Sequence, residues 1–329
     1  MKKLLACLLA MTLLLIPICS LYVSAIDNEL TEIPESVVEE FEIQSEQVEG
    51  LVPLYNADDT VIAYCIRFFT KGYIIYDLNG MVIQYSLTDI CPVPLSSTKV
   101  YFGGPAMFFT KSGNQFVHIN NSQLRTNKSN FIRDNAITKN MVAQKVARSV
   151  VSVAATSSKK TSYVPRNWSY NPTGICAGTA AAILLAYYDD HINGGTVPTL
   201  YMTSDGKSLT KILANRIYDL PTGWSYTAHT REVLKWFINN YSTGTAKNFS
   251  STSSEGSWST VYSFVKTVIN SNRPLQVYIA DGDFNHGVCC YGWEDSNGSS
   301  RILCSDGWGG TNTYFSATFL YGGIRITGG

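Results

Sequence analysis

The sequence predicts an α+β fold, with β-rich stretches towards both ends of the chain and helices between them. One observation is the run from Ile175 to Tyr188, which holds no charged residue and includes three consecutive alanines. It is too long for an ordinary strand and too short to span a membrane. Apolar all round rather than along one stripe, it reads as a buried central helix. A second observation is a set of β-branched and aromatic runs flanking Asn79-Gly80 and Asn297-Gly298, dipeptides that signal hairpins. A third is the series of helical patterns that separates the two β-rich regions.

In chain order, Lys2 and Lys3 precede an apolar stretch from Leu4 to Ile18, and Val23-Ser24-Ala25 offers small residues for cleavage. Residues 1–25 therefore read as a secretory signal peptide, outside the fold. Ile18 stands before Cys19 where a lipoprotein cleavage site wants a small residue, which argues against a lipid anchor. No later apolar run is long enough to cross a membrane, so the expected location is secreted or cell-envelope associated. Removing residues 1–25 leaves 304 of the 329, enough for two domains or one large one. Lys plus Arg and Asp plus Glu both number 25, which gives no electrostatic case for nucleic acid. The cysteines beyond the signal are Cys65, Cys91, Cys176, Cys289, Cys290 and Cys304, scattered rather than arranged as a dense disulfide framework. No CxxC or HExxH pattern occurs, so neither a metal nor another cofactor is expected.

Residues 28–50 are acidic, and Val37, Val38 and Phe41 at helical spacing predict a short amphipathic helix. Strand-like runs follow at 61–69, 73–77 and 81–85, and these predict a small β meander distinct in composition from what comes after. From Asn120 to Tyr163 the chain turns polar. A helix is expected over Met141–Ala155, and Ala154–Ser162 reads as an accessible linker with a basic pair at Lys159-Lys160. Beyond it, helices are expected at Leu209–Tyr218, Thr230–Tyr241 and Trp258–Ile269, and a strand at Leu275–Ile279. The segments 285–293 and 300–310 face each other as a hairpin. If it is centred on Asn297, Val288 faces Asp306, Cys290 faces Cys304, and His286 lies diagonally from Asp306. Cys289 and Cys290 must then point to opposite faces.

Cys176 opens the apolar helix. The first N–H groups of a helix lack partners and the peptide dipoles add there, so a thiolate is favoured. A buried structural cysteine is the ordinary alternative. His286 opens a strand with an acid, Asp306, folded back beside it, which would set the imidazole's tautomer and orientation. His118, His191 and His229 have no comparable setting.

These stretches resemble the papain superfamily of cysteine peptidases, in particular secreted streptopain-like enzymes and the bacteriocin-processing, C39-like group. Thr173-Gly174-Ile175-Cys176-Ala177-Gly178-Thr179-Ala180 is similar to the nucleophile helix, His286-Gly287-Val288 to the strand that carries the histidine, and Asp306-Gly307-Trp308-Gly309-Gly310 to the orienting residue with its Trp two positions on. The resemblance covers residues 163–329, and more weakly the β-rich segment at 50–90 is similar to a streptopain-type propeptide. It implies a papain-like fold, with the buried nucleophile helix packed on an antiparallel sheet. It also implies Cys176 as nucleophile, His286 as general base and then acid, and Asp306 as orienter. Trp308 would cover the His–Asp pair or be a plain core residue. The family's upstream Gln, an oxyanion donor, has no counterpart. Asn171 is the candidate in its place, with Asn167 behind it.

The organisation expected is thus a signal peptide at 1–25, a β-rich propeptide with its linker at 26–160, and a peptidase domain at 161–329. The function expected is that of a secreted cysteine endopeptidase made as a zymogen. It would act on protein or peptide substrates, inhibited by its own propeptide. The alternatives are a papain-like secreted binding module without activity and a transglutaminase-like thiol acyl-transferase. A Cys290–Cys304 bridge is a further option.

Overall fold

The computed structural model describes residues 33–128 and 156–328, apart from 97, 173, 282 and 283. The signal segment at 1–25 and the helix expected over Met141–Ala155 lie outside the described residues. Those described form five α-helices and fifteen strands, and every strand joins one sheet. The α+β class expected from the sequence is what the chain adopts.

The first half starts with α1 (Glu35–Phe41), whose Val37 is buried. Its strands β1 (Val48–Tyr55), β2 (Val61–Phe68), β3 (Tyr73–Asp77) and β4 (Val82–Ser86) form the expected antiparallel meander. Gly80, at φ +78°, sits in the β3–β4 turn, a backbone region that glycine occupies without steric cost. A parallel β1–β5 contact, the only parallel pairing among the described residues, adds β5 (Val100–Phe102). Beyond it, β6 (Phe108–Ser112), β7 (Gln115–His118) and β8 (Asn121–Asn127) continue antiparallel. The polar stretch after Asn120 thus begins as a strand, because β7 supplies its backbone partners.

The second half contains β9 (Ser157–Lys160), α2 (Cys176–His191), α3 (Lys207–Ile217), α4 (Tyr226–Tyr241), β10 (Ser250–Glu255) and α5 (Trp258–Asn270). It closes with β11 (Leu275–Asp281), β12 (Phe284–Ser296), β13 (Ser299–Ser305), β14 (Thr313–Ser316) and β15 (Leu320–Thr327). Its strands run in the order β10-β15-β11-β12-β13-β14. Buried residues of α2, α3 and α4 share a core with Cys289, on one face of the sheet. Those of α5 pack with Cys290 and Cys304 on the other. The alternation along β12 separates the two adjacent cysteines as expected. Cys290 does face Cys304, and both are buried free thiols.

The two halves are continuous. Strand β14 pairs with β4 through Tyr314↔Tyr85 and Phe315↔Gln84, and the two tyrosine rings stack at 4.6 Å. Val52, Cys65 and Ile75 of the first half lie in the same core cluster as Val265, Val288 and Ile302 of the second. Arg301 on β13, 3% exposed, is held by Glu40 of α1 and by Glu294 at 3.0 Å. The expected linker also differs from the structure. Ser157–Lys160 pair with Asp295–Gly292 as β9, and the Thr161 N–H donates to the Tyr291 carbonyl at 2.9 Å. Beyond Cys290, β12 leaves β11, so its backbone there has an open side, and β9 fills it whatever its own strand propensity.

Candidate active site

Cys176 is the first residue of α2, whose first turn has no side-chain cap. The free N–H groups and the helix dipole therefore face the sulfur. The thiol is 7% exposed, and burial alone would raise its pKa. The imidazole of His286, the backbone N–H of Gly287 and the hydroxyl of Tyr218 outweigh burial and hold it below the ordinary thiol value. The Gly287 N–H donates to Sγ at 3.4 Å. This close approach of β12 to α2 requires glycine, since a Cβ on residue 287 would lie 2.9 Å from Ala177 Cα. From the same side Gln276 Nε2 donates to the Ala177 carbonyl at 3.1 Å.

His286 is 1% exposed, and its Nε2–H donates to the main-chain carbonyl of Asp306 at 2.8 Å. A carbonyl only accepts, so Nε2 carries the proton and Nδ1 is the basic nitrogen. Nδ1 is buried and has no hydrogen-bond partner among the described residues. Burial disfavours the imidazolium, yet Cys176, the Asp306 carbonyl and the Asp306 charge hold the His286 pKa above its ordinary value. The thiol is shifted down and the imidazole up, each because of the other. Both shifts move the pair towards thiolate and imidazolium.

Asp306 lies beside His286 as the diagonal register requires, but the expected contact is corrected. The orienting acceptor is its backbone carbonyl, not its carboxylate. The chain turns after β13, and the carboxylate caps that turn by accepting the Trp308 and Gly310 N–H groups at 2.8 and 2.9 Å. Burial pushes its pKa up to about 6, against those N–H groups and the His286 charge.

Trp308 stacks over His286, with centroids 6.1 Å apart and planes 13° from parallel. Trp308 also stacks on His118 at 4.5 Å, and burial lowers the His118 pKa to about 4. His118 is a buried residue held on the Ala106 carbonyl at 3.3 Å, as expected for a histidine of the core, and it also brings β7 of the first half over the site. From β8, Asn121 Nδ2 donates to the Asn171 carbonyl, and Leu124 lies 3.1 Å from where a Gly174 Cβ would be. Asn171 itself is 3% exposed, and both atoms of its amide lack partners among the described residues. Asn167 is exposed.

Sequence reasoning missed Tyr218 at the end of α3. Its hydroxyl donates to the Gly174 carbonyl at 3.0 Å and lies 3.9 Å from Cys176 Sγ. Beside it a cavity of about 700 Å³ is lined by Tyr170, Pro172, Ile175, Ala214 and Tyr218, with Lys211 and Asp219 at its edge.

Residues 159–320, just under half of the chain, match the Peptidase_C39 like family. That segment is a C39-like cysteine peptidase domain. Among solved structures, this peptidase is similar to a fragment of prointerpain A from Prevotella intermedia, a cysteine-to-alanine mutant. That likeness has 12% identity and a TM-score of 0.39, and covers 84% of this chain and 98% of the other. The avirulence protein AvrPphB of Pseudomonas is similar at 11% identity and a TM-score of 0.28, over 51% of this peptidase and 98% of that chain. No curated protein sequence matches it.

Proposed function

We propose that the chain is an exported cysteine endopeptidase, made as a zymogen, that cleaves peptide bonds through a thioester on Cys176. The reciprocal Cys176–His286 contact carries this reading. It favours the thiolate and the imidazolium, whose second proton sits on Nδ1, the nitrogen that the Asp306 carbonyl leaves open. Thiolate attack on a substrate carbonyl forms a tetrahedral oxyanion. The imidazolium then gives its proton to the leaving amine, and as a neutral base activates the water that hydrolyses the thioester. The Asp306 carbonyl holds the ring through both steps.

The Cys176 N–H and the enclosed amide of Asn171 are the candidate oxyanion donors. Protein or peptide substrates would reach Cys176 from the Tyr170–Tyr218 side. In the full chain Asn121 and Leu124 lie against Asn171 and Gly174, and His118 lies against Trp308, which supports a precursor closed by its own N-terminal half. The leader at 1–25 supports export.

An epoxide thiol-protease inhibitor followed by mass mapping tests the assignment. Label should appear at Cys176 and disappear, with peptide cleavage, in a folded Cys176→Ala variant. Label at Cys289, Cys290 or Cys304 would overturn the nucleophile. Label at Cys176 with amine transfer to glutamine peptides instead of hydrolysis would favour an acyl-transferase. No label and no cleavage would favour a binding module.

A further inference from the structure

Away from Cys176, the first half holds a second sulfur pair. Cys65 Sγ, in the middle of β2 and fully buried, lies 3.6 Å from Cys91 Sγ. The two belong to segments 26 residues apart. Cys91 is half-buried and lines a cavity of about 460 Å³, shared with Asp89, Asn120, Asp306, Trp308 and Thr313. One thiol is therefore open to a small reagent and the other sits behind it in the core.

Their surroundings divide the roles. The Cys65 thiol as hydrogen-bond donor, with Arg67 nearby, favours the Cys91 thiolate despite burial, whereas burial pushes Cys65 well up. Arg67 is anchored between Glu49 and the Val93 carbonyl, so its charge is fixed. An accessible low-pKa thiol beside a second cysteine is the setting of thiol–disulfide exchange. The Cys290–Cys304 pair differs: both are fully buried, and neither lines a described cavity.

The segment carrying Cys91 also reaches the peptidase half. The Asp89 carboxylate accepts the Asn312 N–H at 2.9 Å and the Thr313 hydroxyl at 3.5 Å, and that same hydroxyl meets the Asp306 carboxylate. A bond from Cys91 to β2 would shorten the tether that holds Asp89 against the loop after β13.

We propose that Cys65 and Cys91 form a disulfide, with Cys91 as the attacking thiol and Cys65 as the resolving one, and that this bond clamps the Asp89 segment onto the 306–313 loop. The oxidant is a small disulfide such as oxidised glutathione. Cys91 thiolate attacks one sulfur of it, forming a mixed disulfide and expelling one glutathione thiolate. Cys65 gives up its proton and attacks Cys91 Sγ, expelling the second. The protein loses two electrons and two protons, and the oxidant leaves as two thiols. Closure brings the sulfurs from 3.6 Å to the bonding distance of about 2.05 Å.

The test is incubation of the folded full chain, in its Cys176→Ala form to silence the active site, with oxidised glutathione. Thiol titration, non-reducing peptide mapping and hydrogen exchange follow. The expected result is a loss of two thiols, a linked Cys65–Cys91 peptide, and several-fold slower exchange at the Asn312 amide. Cys65→Ser should trap Cys91 as a glutathione adduct, while Cys91→Ser should leave Cys65 unmodified. Recovery of both as free thiols from the folded protein, or an adduct at Cys65 in Cys91→Ser, overturns the pair. A bridge that leaves Asn312 exchange unchanged overturns the clamp.

Discussion

Removing the imidazole of His286 and removing the carboxylate of Asp306 should have unequal effects. Without the imidazole nothing takes the Cys176 proton, and His286→Ala should lower turnover by about 10²–10⁴-fold. Asp306→Asn keeps the main-chain carbonyl that accepts from Nε2, so its loss should be smaller. The pH profile separates its role further. Above about 6 the Asp306 carboxylate is ionised and favours the imidazolium. Deleting that charge lowers the His286 pKa, so the falling limb of kcat/KM should move to lower pH. An unmoved limb, or a loss equal to that of His286→Ala, would contradict this. Tyr218→Phe removes a hydroxyl that lowers the Cys176 pKa. The rising limb should move to higher pH, and alkylation near neutrality should slow several-fold, with circular dichroism unchanged. The placements of Cys176 and His286 were legible because helix starts and hairpin strands have sequence signatures. The acceptor on His286 was not, because every residue has a carbonyl. Tyr218 and His118 reach the site from distant elements, with no local pattern to mark them.

The contact between α2 and β12 sets the geometry of the site, and Gly287 controls it. An added Cβ there meets the Ala177 backbone at 2.9 Å. Backbone cannot swing aside as a flexible side chain does, so Gly287→Ala should destabilise by about 1–3 kcal/mol. It should also pull the Gly287 N–H from the sulfur and raise the thiol pKa. A variant that keeps wild-type stability in urea and its alkylation profile would show that the approach is not required. The hairpin shows what sequence could reach at this scale. Pairing centred on Asn297 was expected throughout, and it holds at Cys289↔Ser305 and Cys290↔Cys304. Nearer the turn the partners are Trp293↔Ile302 and Ser296↔Ser299, one residue out of that frame, with the irregularity between Cys290 and Gly292. A bulge has no composition of its own. Nor does β9, whose Ser-Ser-Lys-Lys carries no strand propensity and is ordered by the open side of β12.

Activation belongs to the whole molecule. The β-rich first half and the helical second half were legible from composition, but their union was not. Strand β4 joins β14, one core runs through both, and Arg301 is enclosed with Glu40 and Glu294. If the first half is an inhibitor, a cut alone should not free the site, because these contacts hold it at high effective concentration. The cut is expected upstream of Ser157, since a later one would strip β9 from β12. Activity on a small peptide should therefore lag behind cleavage and follow dissociation of the N-terminal half. Arg301→Ala leaves two carboxylates of the interface without their counter-charge, a change that costs about 3–5 kcal/mol for a buried pair. It should shorten the lag, because Glu40 then repels Glu294 across the seam. Gel and activity time courses on one sample check this, with N-terminal sequencing of the product. A mature end at or beyond Tyr163 would contradict the boundary, and simultaneous cleavage and activity would contradict the hold. Equal specific activity of the uncut chain would leave the first half as a permanent part of the enzyme, with His118 and Leu124 shaping its cleft rather than closing it.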